Sequence, residues 1–377
     1  MNAEVSAVPS KRIQLNTARE NDAGPLRKRS GLLAEYWYVG AMSRDVTRNN
    51  PVSTVIMETR MVLWRSKSGK VSALRDRCSH RNTMLSEGYV NNKKNCIVCP
   101  YHGWEFDSEG DCTKVPSENR EGKQRNNRSI ESFPVIERDG LIWLWMGLEK
   151  VPDPEKSPFK LPYYNKEKEG WGNFQIINDF ENDVTNLVEN FMDVPHTVIV
   201  HSGWFRNRAH KKVNTTMERT DDSVLVTYHQ TGDVIGFAER VINPKKLPLY
   251  HTDKFYMPNN TRVDYGFGNN ERGFVVTSTS TPISDMKTRV YTSISYKLGV
   301  LNFGAKAWLP WYVQNIINQD LVITRNQAQS LREEPANYKS TPADMLHVFI
   351  ESLRKWEESG RKGRKPRAIA KEVEFWI

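Results

Sequence analysis

The sequence predicts an α+β fold in which a small all-β domain precedes a larger domain of helices around an antiparallel sheet. Three features support this prediction. Short apolar runs with turn residues between them fill residues 36–147, a proline-rich stretch follows, and helical patterns then bracket further strand-like runs. At 377 residues the chain is long enough for two or three domains, each with its own core.

The N-terminal residues, 1–33, are assigned to a tail. They contain the basic run Arg27-Lys28-Arg29 and few apolar residues, so a disordered segment is predicted. The apolar core of a signal peptide is missing from this stretch, and an organelle transit peptide is the weaker alternative.

The all-β domain is predicted over residues 34–150 from two hairpin signals. Met61–Arg65 faces Val71–Arg75 across a short polar turn. Phe133–Ile136 faces Leu141–Trp145 across the sequence Glu-Arg-Asp-Gly, and an Asp-Gly pair between apolar runs favours a tight turn.

The second domain is assigned to residues 151–377. Repeated prolines in Val151–Pro158 exclude a regular element, so the boundary is placed near residue 151. Beyond it the pattern predicts two helices, three strands and, near the end, a solvated basic run: helices 183–194 and 311–331, strands 223–229, 273–280 and 288–295, and the run 361–367.

The amino-acid composition limits the classes of molecule that the chain is expected to bind. Lys and Arg number 54 against 45 Asp and Glu, and the net charge of +9 fits docking of an acidic protein. Nucleic acid is the competing partner, but the aromatic residues lie in strand-like runs and not among the basic clusters, so no nucleic acid is expected. No apolar run is long enough to span a membrane. Four cysteines fit a reducing cytoplasm better than a disulfide framework.

The stretch from Cys78 to Trp104 carries the first metal-ligand pattern. Cys78-x-His80 and Cys99-x-x-His102 supply two thiolates and two imidazoles. This set fits a [2Fe–2S] cluster with both cysteines on one iron and both histidines on the other. The same four residues could instead build a Cys2His2 zinc site. Cys96 and Cys112 lack a nearby histidine and are expected to be free thiols.

The second pattern is Asn190-Phe-Met-Asp193-x-x-His196-x4-His201. Mononuclear ferrous iron is typically held by two histidines and one carboxylate, which leaves positions open. His196 and His201 lie at a predicted helix end that Pro195 terminates, so both can converge on one metal. The histidines without such partners are assigned to packing or to the surface, with His210 and then His229 as the nearest rivals: His210, His229, His251 and His347.

Asp320 is the predicted carboxylate ligand. It lies on one helical face with apolar residues, where a carboxylate is costly unless it is paired or binds a metal: Val313, Ile316, Ile317 and Thr324. The following residues Leu321, Val322 and Ile323 predict a helix buried on almost every side. The alternative is an ion pair with Arg325 or Arg332. Asp344 and Glu333 are the fallback ligands.

Together the motifs resemble those of the Rieske non-haem iron oxygenases. Pro100 and Gly103-Trp104 match the family's cluster loop, and the Asn190–His201 string resembles its iron-binding motif. The resemblance implies a helix-grip catalytic domain, a Rieske [2Fe–2S] cluster, and Fe(II) on His196, His201 and Asp320. It also implies that Asp193 orients a ligating histidine and bridges to His102 of a neighbouring chain in a homotrimer, with Asn190 near the iron.

The implied function is that of a terminal oxygenase of the monooxygenase and demethylase branch. Such an enzyme takes O2, and electrons originating in NAD(P)H from a reductase or ferredoxin, to hydroxylate or demethylate an aromatic, polycyclic or specialised organic substrate. Alternatives are a ring-cis-dihydroxylating dioxygenase, a Rieske electron-transfer protein with a ligand-binding domain, and a zinc-stabilised nucleic-acid module. Pocket residues are expected around four positions: Tyr228, Phe237, Tyr265 and Thr277.

Overall fold

A computed structural model describes residues 25–118, 120–124, 127–148, 151–206, 211–229, 243, 245–268 and 272–377. Within these residues the predicted α+β class is confirmed. An all-β domain of three small sheets precedes a domain built on an eight-stranded antiparallel sheet. None of the helices in the described ranges is long and apolar enough to cross a bilayer.

The described residues of the first domain form twelve strands in three sheets, of order β1-β12-β11, β10-β4-β3-β2 and β5-β6-β7-β8-β9. The strands are β1 Trp37–Met42, β2 Val52–Ile56, β3 Thr59–Arg65, β4 Val71–Arg75, β5 Tyr89–Asn91, β6 Cys96–Val98, β7 Glu105–Phe106, β8 Cys112–Val115, β9 Arg120–Gln124, β10 Ser132–Phe133, β11 Val135–Arg138 and β12 Leu141–Trp145.

Both predicted hairpins are present. Strand β3 pairs with β4, and β11 pairs with β12 across Asp139-Gly140. Both turn residues have positive φ, 54° and 75°, as a tight hairpin turn that follows the strand twist requires. One boundary differs: Pro134 separates Phe133, which pairs with β4, from β11, because proline cannot donate to a strand ladder.

The second domain folds around one continuous sheet of order β13-β19-β18-β17-β16-β15-β14-β20. The strands are β13 Gly172–Phe180, β14 Lys212–Arg219, β15 Ser223–Tyr228, β16 Leu249–Tyr256, β17 Asn260–Phe267, β18 Arg272–Ser284, β19 Lys287–Lys297 and β20 Ile369–Trp376. The three predicted strands correspond to β15, β18 and β19, and the other five were not predicted.

Four α-helices are described: α1 Leu26–Arg29, α2 Val184–Met192, α3 Asn302–Glu333 and α4 Met345–Glu358. Asp183 caps the N-terminus of helix α2, where its carboxylate accepts hydrogen bonds from the backbone N–H groups of Thr185 and Asn186. This helix ends ahead of Pro195, as predicted. Helix α3 starts nine residues before the predicted position 311, with Pro310 inside it.

The prediction that α3 is buried on nearly all sides is wrong. Val322 and Ile323 are 70% and 43% exposed. The buried positions form one stripe, which includes Ile317, Asp320 and Thr324. A helix lying on a sheet needs only one apolar face, so apolar residues on the outer face do not imply burial.

Part of the predicted disordered tail is folded, which corrects that prediction for residues 25–33. The Arg27 side chain is buried and donates to the carbonyl oxygens of Met146 and Gly147, both at 2.6 Å. Leu33 is also buried. A basic run favoured disorder, but a guanidinium that meets two carbonyl groups and Glu131 can be buried at acceptable cost. Residues 1–24 lie outside the described ranges.

Asn182 connects helix α3, which carries Asp320, to the start of helix α2, which precedes the two candidate histidine ligands in the chain. It is fully buried, and its amide nitrogen donates to the Thr324 carbonyl and the Gln327 side chain on α3, both at 2.8 Å. Its amide oxygen accepts from the Asp183 backbone N–H at 2.7 Å, at the start of α2. Removing this side chain would leave several buried polar groups without partners.

We therefore expect Asn182→Ala to lower the free energy of unfolding by about 2–4 kcal/mol, because buried donors and acceptors lose their partners. Asn178 is the matched control, since it joins strand β13, which immediately precedes the Asn182 loop, to α3 through Gln314 but is partly exposed. Asn178→Ala should cost less than about 1 kcal/mol in denaturant unfolding. Equal losses for the two variants would contradict the proposed connection.

Candidate metal centres

The two Cys–His motifs form matching turns. The backbone N–H of Cys78 donates to the Thr83 carbonyl, and that of Cys99 donates to the Trp104 carbonyl, each at 2.9 Å. Four residues after each cysteine, Asn82 and Gly103 donate back to the cysteine carbonyl and adopt φ of 62° and 68°. Asparagine and glycine are the residues that tolerate this left-handed conformation.

These turns bring the four candidate cluster ligands together with a buried and an exposed side. The thiols of Cys78 and Cys99 are buried, and burial raises the pKa of Cys78 to about 11. The rings of His80 and His102 lie 4.5 Å apart between centroids, nearer the surface. Nδ1 of His80 is buried without a hydrogen-bond partner among the described residues. Two thiols and two imidazoles on facing turns fit a [2Fe–2S] cluster.

Aromatic side chains flank this group. Trp104 stacks on His80 at 4.7 Å with an interplanar angle of 1°, and Tyr101 contacts His102 at 3.8 Å. Cys96 and Cys112 are free thiols and buried. Cys112 lies in strand β8.

The second group consists of His196, His201 and Asp320, whose potential ligand atoms lie within 4.8 Å of one another. Nε2 of His201 is 3.2 Å from Oδ1 of Asp320, and Nε2 of His196 is 3.6 Å from the same oxygen. That oxygen is buried and makes no hydrogen bond to a described residue. Three converging donor atoms with an unsatisfied carboxylate oxygen fit a mononuclear metal site with open positions.

The other imidazole nitrogens are held from behind. Nδ1 of His196 is 3.2 Å from Oδ2 of Asp193, and Nδ1 of His201 is 2.8 Å from Oε1 of Gln319. These bonds fix the protons on Nδ1 and leave both Nε2 lone pairs for a metal. Burial lowers the pKa of His201, but the Asp320 carboxylate outweighs burial, so the pKa lies above its ordinary value.

Among the described residues, the alternative ligands and ion-pair partners for this site lie elsewhere. Arg325 contacts Glu181 and not Asp320. Asp344 caps the turn at Thr341. His210 lies outside the described residues. His251, which the sequence assigns to packing or to the surface, is buried, bonds Asp253 and stacks between two tyrosine rings.

An apolar cavity of about 180 Å³ borders the second group. Helices α2 and α3 and the inward face of the sheet line it. Asn190 lines it too, with a buried amide oxygen that no described residue satisfies. Tyr265 lies on the wall. Thr277 does not line it, whereas the two residues that flank it and share the opposite face of the strand do: Val276 and Ser278. Phe237 lies outside the described ranges.

The sequence motifs did not reveal Gln319 or Asp253. Gln319 directly precedes Asp320, and only the three-dimensional approach to His201 reveals its contact. Asp253 belongs to a strand, β16, whose alternation of polar and apolar residues is too irregular to predict.

Comparison with known families decides the identity. Residues 36–134 match the model of the Rieske [2Fe-2S] domain, and residues 180–355 match the vanillate O-demethylase oxygenase C-terminal domain. The chain belongs to the Rieske oxygenases. The match to the Rieske domain covers the two Cys–His motifs, and the match to the C-terminal domain covers His196, His201 and Asp320. This Rieske oxygenase therefore has both domains in one chain.

Individual relatives agree. The chain is 35% identical over 168 residues to the dicamba O-demethylase oxygenase component of Stenotrophomonas maltophilia, covering 44% of this chain and 46% of that protein. Dicamba monooxygenase bound to dicamba has the same fold, with a TM-score of 0.73 at 21% identity over 87% of this chain and 99% of that one. Pseudomonas putida NdmA with caffeine gives 0.73 at 18% identity over 90% and 97%.

The sequence matches span 33–46% of the length of the first curated relatives. The structural matches at these identities establish the fold of the Rieske oxygenase chain.

A second, larger cleft of about 1020 Å³ lies behind Asp193. Glu189 lines it, one helical turn before Asp193 on α2. Burial, helped by the nearby Glu351 carboxylate, raises the pKa of Glu189 to about 7. Its unfolded pKa is near 4.5, so between these values the folded state holds a proton that the unfolded state releases.

The stabilisation that protonated Glu189 contributes to the folded state is therefore fully present below pH 4.5 and is lost as pH rises through about 7. We expect Glu189→Gln to be more stable than the parent above pH 7, by on the order of 2 kcal/mol, and equal to it at low pH. Denaturant unfolding across this range measures the difference. Exposed Glu181 is the control, and a Glu189→Gln profile parallel to the parent at every pH would contradict the assignment.

Proposed function

We propose that this chain is the terminal oxygenase of a Rieske system that hydroxylates or oxidatively demethylates an aromatic or related organic substrate with O2. The observation that carries the proposal is the convergence of His196, His201 and Asp320 on the wall of an apolar cavity. A metal held there would face any molecule in the cavity. Ring dihydroxylation is the alternative reaction, and electron transfer alone does not require such a cavity.

The assigned ligands follow from the donor sets. Cys78, Cys99, His80 and His102 would hold the Rieske cluster, and His196, His201 and Asp320 would hold ferrous iron. When bound, these groups supply single electrons and oxygen-activating chemistry, respectively. The fit is supported by the unsatisfied Asp320 oxygen and by the buried thiols.

The remaining residues position these donors. Asp193 and Gln319 retain the Nδ1 protons of the two histidines and set the direction of the Nε2 lone pairs. Asn190 places an amide beside the same cavity. The apolar walls exclude water from the reacting end of the substrate, which protects a reactive centre from side reactions.

The names of the relatives support a demethylase. One is a dicamba O-demethylase component, and another solved relative was crystallised with caffeine. We infer an O- or N-methyl aromatic substrate, with simple hydroxylation as the second outcome. A screen of such compounds with added reductase, NADH and ¹⁸O2, scored by product mass, tests this. Loss of CH2 identifies demethylation, a gain of one oxygen identifies hydroxylation, and failure to oxidise any compound counts against the proposal.

The electron donor is proposed to be an acidic ferredoxin or reductase, because the chain carries a net charge of +9. A cytoplasmic location is proposed from the free cysteines among the described residues. A homotrimer is proposed because Asp193 borders the large cleft and both of its hydrogen bonds to described residues use the same oxygen, Oδ2, which leaves Oδ1 for a donor from outside. His102 of an adjacent chain is the proposed donor to that oxygen.

Removing the Asp320 carboxylate distinguishes the proposed mononuclear iron site from the proposed cluster. We expect Asp320→Ala to reduce bound iron from about three to about two per chain and to abolish product formation, while the Rieske absorption spectrum persists. Iron analysis and spectroscopy measure this. Asp344→Ala is the control and should retain full iron content, and an Asp320→Ala variant with three irons and full turnover would exclude Asp320 as a ligand.

Coupling between chains is tested at Asp193. We expect Asp193→Asn to retain both metal sites but to slow single-turnover oxidation by about 10-fold or more. A carboxylate can accept from two imidazole N–H groups with its two oxygens, whereas an amide has only one acceptor oxygen. Asp344→Asn, at the same cleft, should behave like the parent. A fully active monomer by light scattering, or normal single-turnover rates for Asp193→Asn, would remove the bridge.

A further inference from the structure

One wall of the cavity contains a carboxylate in an otherwise apolar row. Neighbouring strands β15 to β19 align five side chains on the inward face, each paired with the next: Val226, Asp253, Val263, Val276 and Ile294. Asp253 is the charged member of the row and lines the cavity. It is 1% exposed.

Two protein groups hold this carboxylate. The Tyr228 hydroxyl donates to Oδ2 at 2.8 Å, and Nε2 of His251 lies 2.8 Å from Oδ1. A carboxylate has about four lone-pair sites, so two are left without a partner among the described residues. An ionised group this deeply buried is stabilised only by further donors.

The adjacent row fixes the geometry of these two groups. His251 is stacked between Tyr228 at 4.1 Å and Tyr265 at 4.3 Å, and Tyr265 stacks on Phe274 at 4.8 Å. Nδ1 of His251 is buried without a hydrogen-bond partner among the described residues. The stacked aromatic rings therefore position the imidazole and the phenol that hold Asp253 at the cavity wall.

We propose that Asp253 is the polar anchor of the substrate site and that the substrate is an aromatic molecule carrying an N–H or O–H donor, neutral or cationic. Calling this ligand the substrate rests on the proposed oxygenase function. The donor fills a free lone pair of Asp253, while the apolar body lies against Val263, Val276 and Ile294. A carboxylate or sulfonate is disfavoured, because two anions would be buried side by side.

The cavity volume sets the size of the molecule. An apolar cavity of about 150 Å³ accommodates benzene, and this one measures about 180 Å³. One substituted aromatic ring therefore fits the described walls. Its methyl-bearing end would face His196, His201 and Asp320 when its donor reaches Asp253, since both groups line the same cavity.

A buried cation nearby defines the rival outcome. Arg206 is 2% exposed, and its guanidinium lies 3.5 Å from the Tyr265 hydroxyl. Asp253 and Tyr265 line the cavity, whereas Arg206 is not among the lining residues. If the Arg206 guanidinium and not the carboxylate sets the polarity of the site, an anionic substrate would bind best.

Calorimetry on the purified protein, without oxygen or reductant, measures binding apart from turnover. Four one-ring probes share a methoxy group and differ in the group para to it: para-methoxybenzylamine, para-methoxybenzyl alcohol, para-methylanisole and para-methoxybenzoate. We expect the amine and the alcohol to bind at least about 10-fold more tightly than para-methylanisole, and the benzoate most weakly.

The decisive variant is Asp253→Asn, whose amide oxygen can accept from Nε2 of His251 while its NH2 group donates to the hydroxyl oxygen of Tyr228. We expect it to weaken amine binding by about 10- to 100-fold and to leave para-methylanisole unchanged. Asp264→Asn is the matched control, because Asp264 lies on the adjacent strand, pairs with Arg262 and does not line the cavity. It should leave all four dissociation constants unchanged.

The wild-type order of affinities does not depend on how the variant folds. Tightest binding of para-methoxybenzoate, one common affinity for all probes, or an unchanged amine affinity in Asp253→Asn would each overturn the assignment. Failure of iron loading or turnover with the expected probe order intact would count against the oxygenase proposal alone. Product formation with the reversed order would count against Asp253 alone.

Discussion

The approach of the Asp320 carboxylate to two imidazoles is the constraint on which the catalytic domain depends. A buried carboxylate is costly unless cations or donors surround it. The shared oxygen of Asp320 lies 3.2 and 3.6 Å from the two Nε2 atoms and has no hydrogen bond of its own in the described chain. Helices α2 and α3 must therefore stay in a fixed relation, and Asn182 at their crossing contributes to that relation.

The two metal-ligand groups follow different structural principles. The cluster motifs are local: each turn closes on itself through backbone hydrogen bonds, and its left-handed residue is fixed at Asn82 or Gly103. The iron-type group is assembled from distant parts of the chain, with a carboxylate brought from α3 to the end of α2. A local site can be read from residue spacing, whereas a distributed one depends on the packing of the whole sheet.

This difference explains how much the sequence could predict. Cys78, His80, Cys99 and His102 stand in short motifs, and the β11–β12 hairpin carries a local turn signal. Helical spacing predicts Asp320 as a ligand, but the same reasoning wrongly predicts that Val322 is buried. Gln319, Asp253 and the folded position of Arg27 depend on contacts between residues far apart in the chain, and no local pattern marks them.

We infer that one chain holds a two-histidine [2Fe–2S] cluster and a separate mononuclear iron. Metal and acid-labile sulfide analysis of the purified protein, with electron paramagnetic resonance after reduction, distinguishes this arrangement from a zinc site. We expect about three irons and two sulfides per chain, with the signal of a reduced Rieske cluster. Stoichiometric zinc without sulfide would contradict it, because the same cysteines and histidines would then form a structural zinc site.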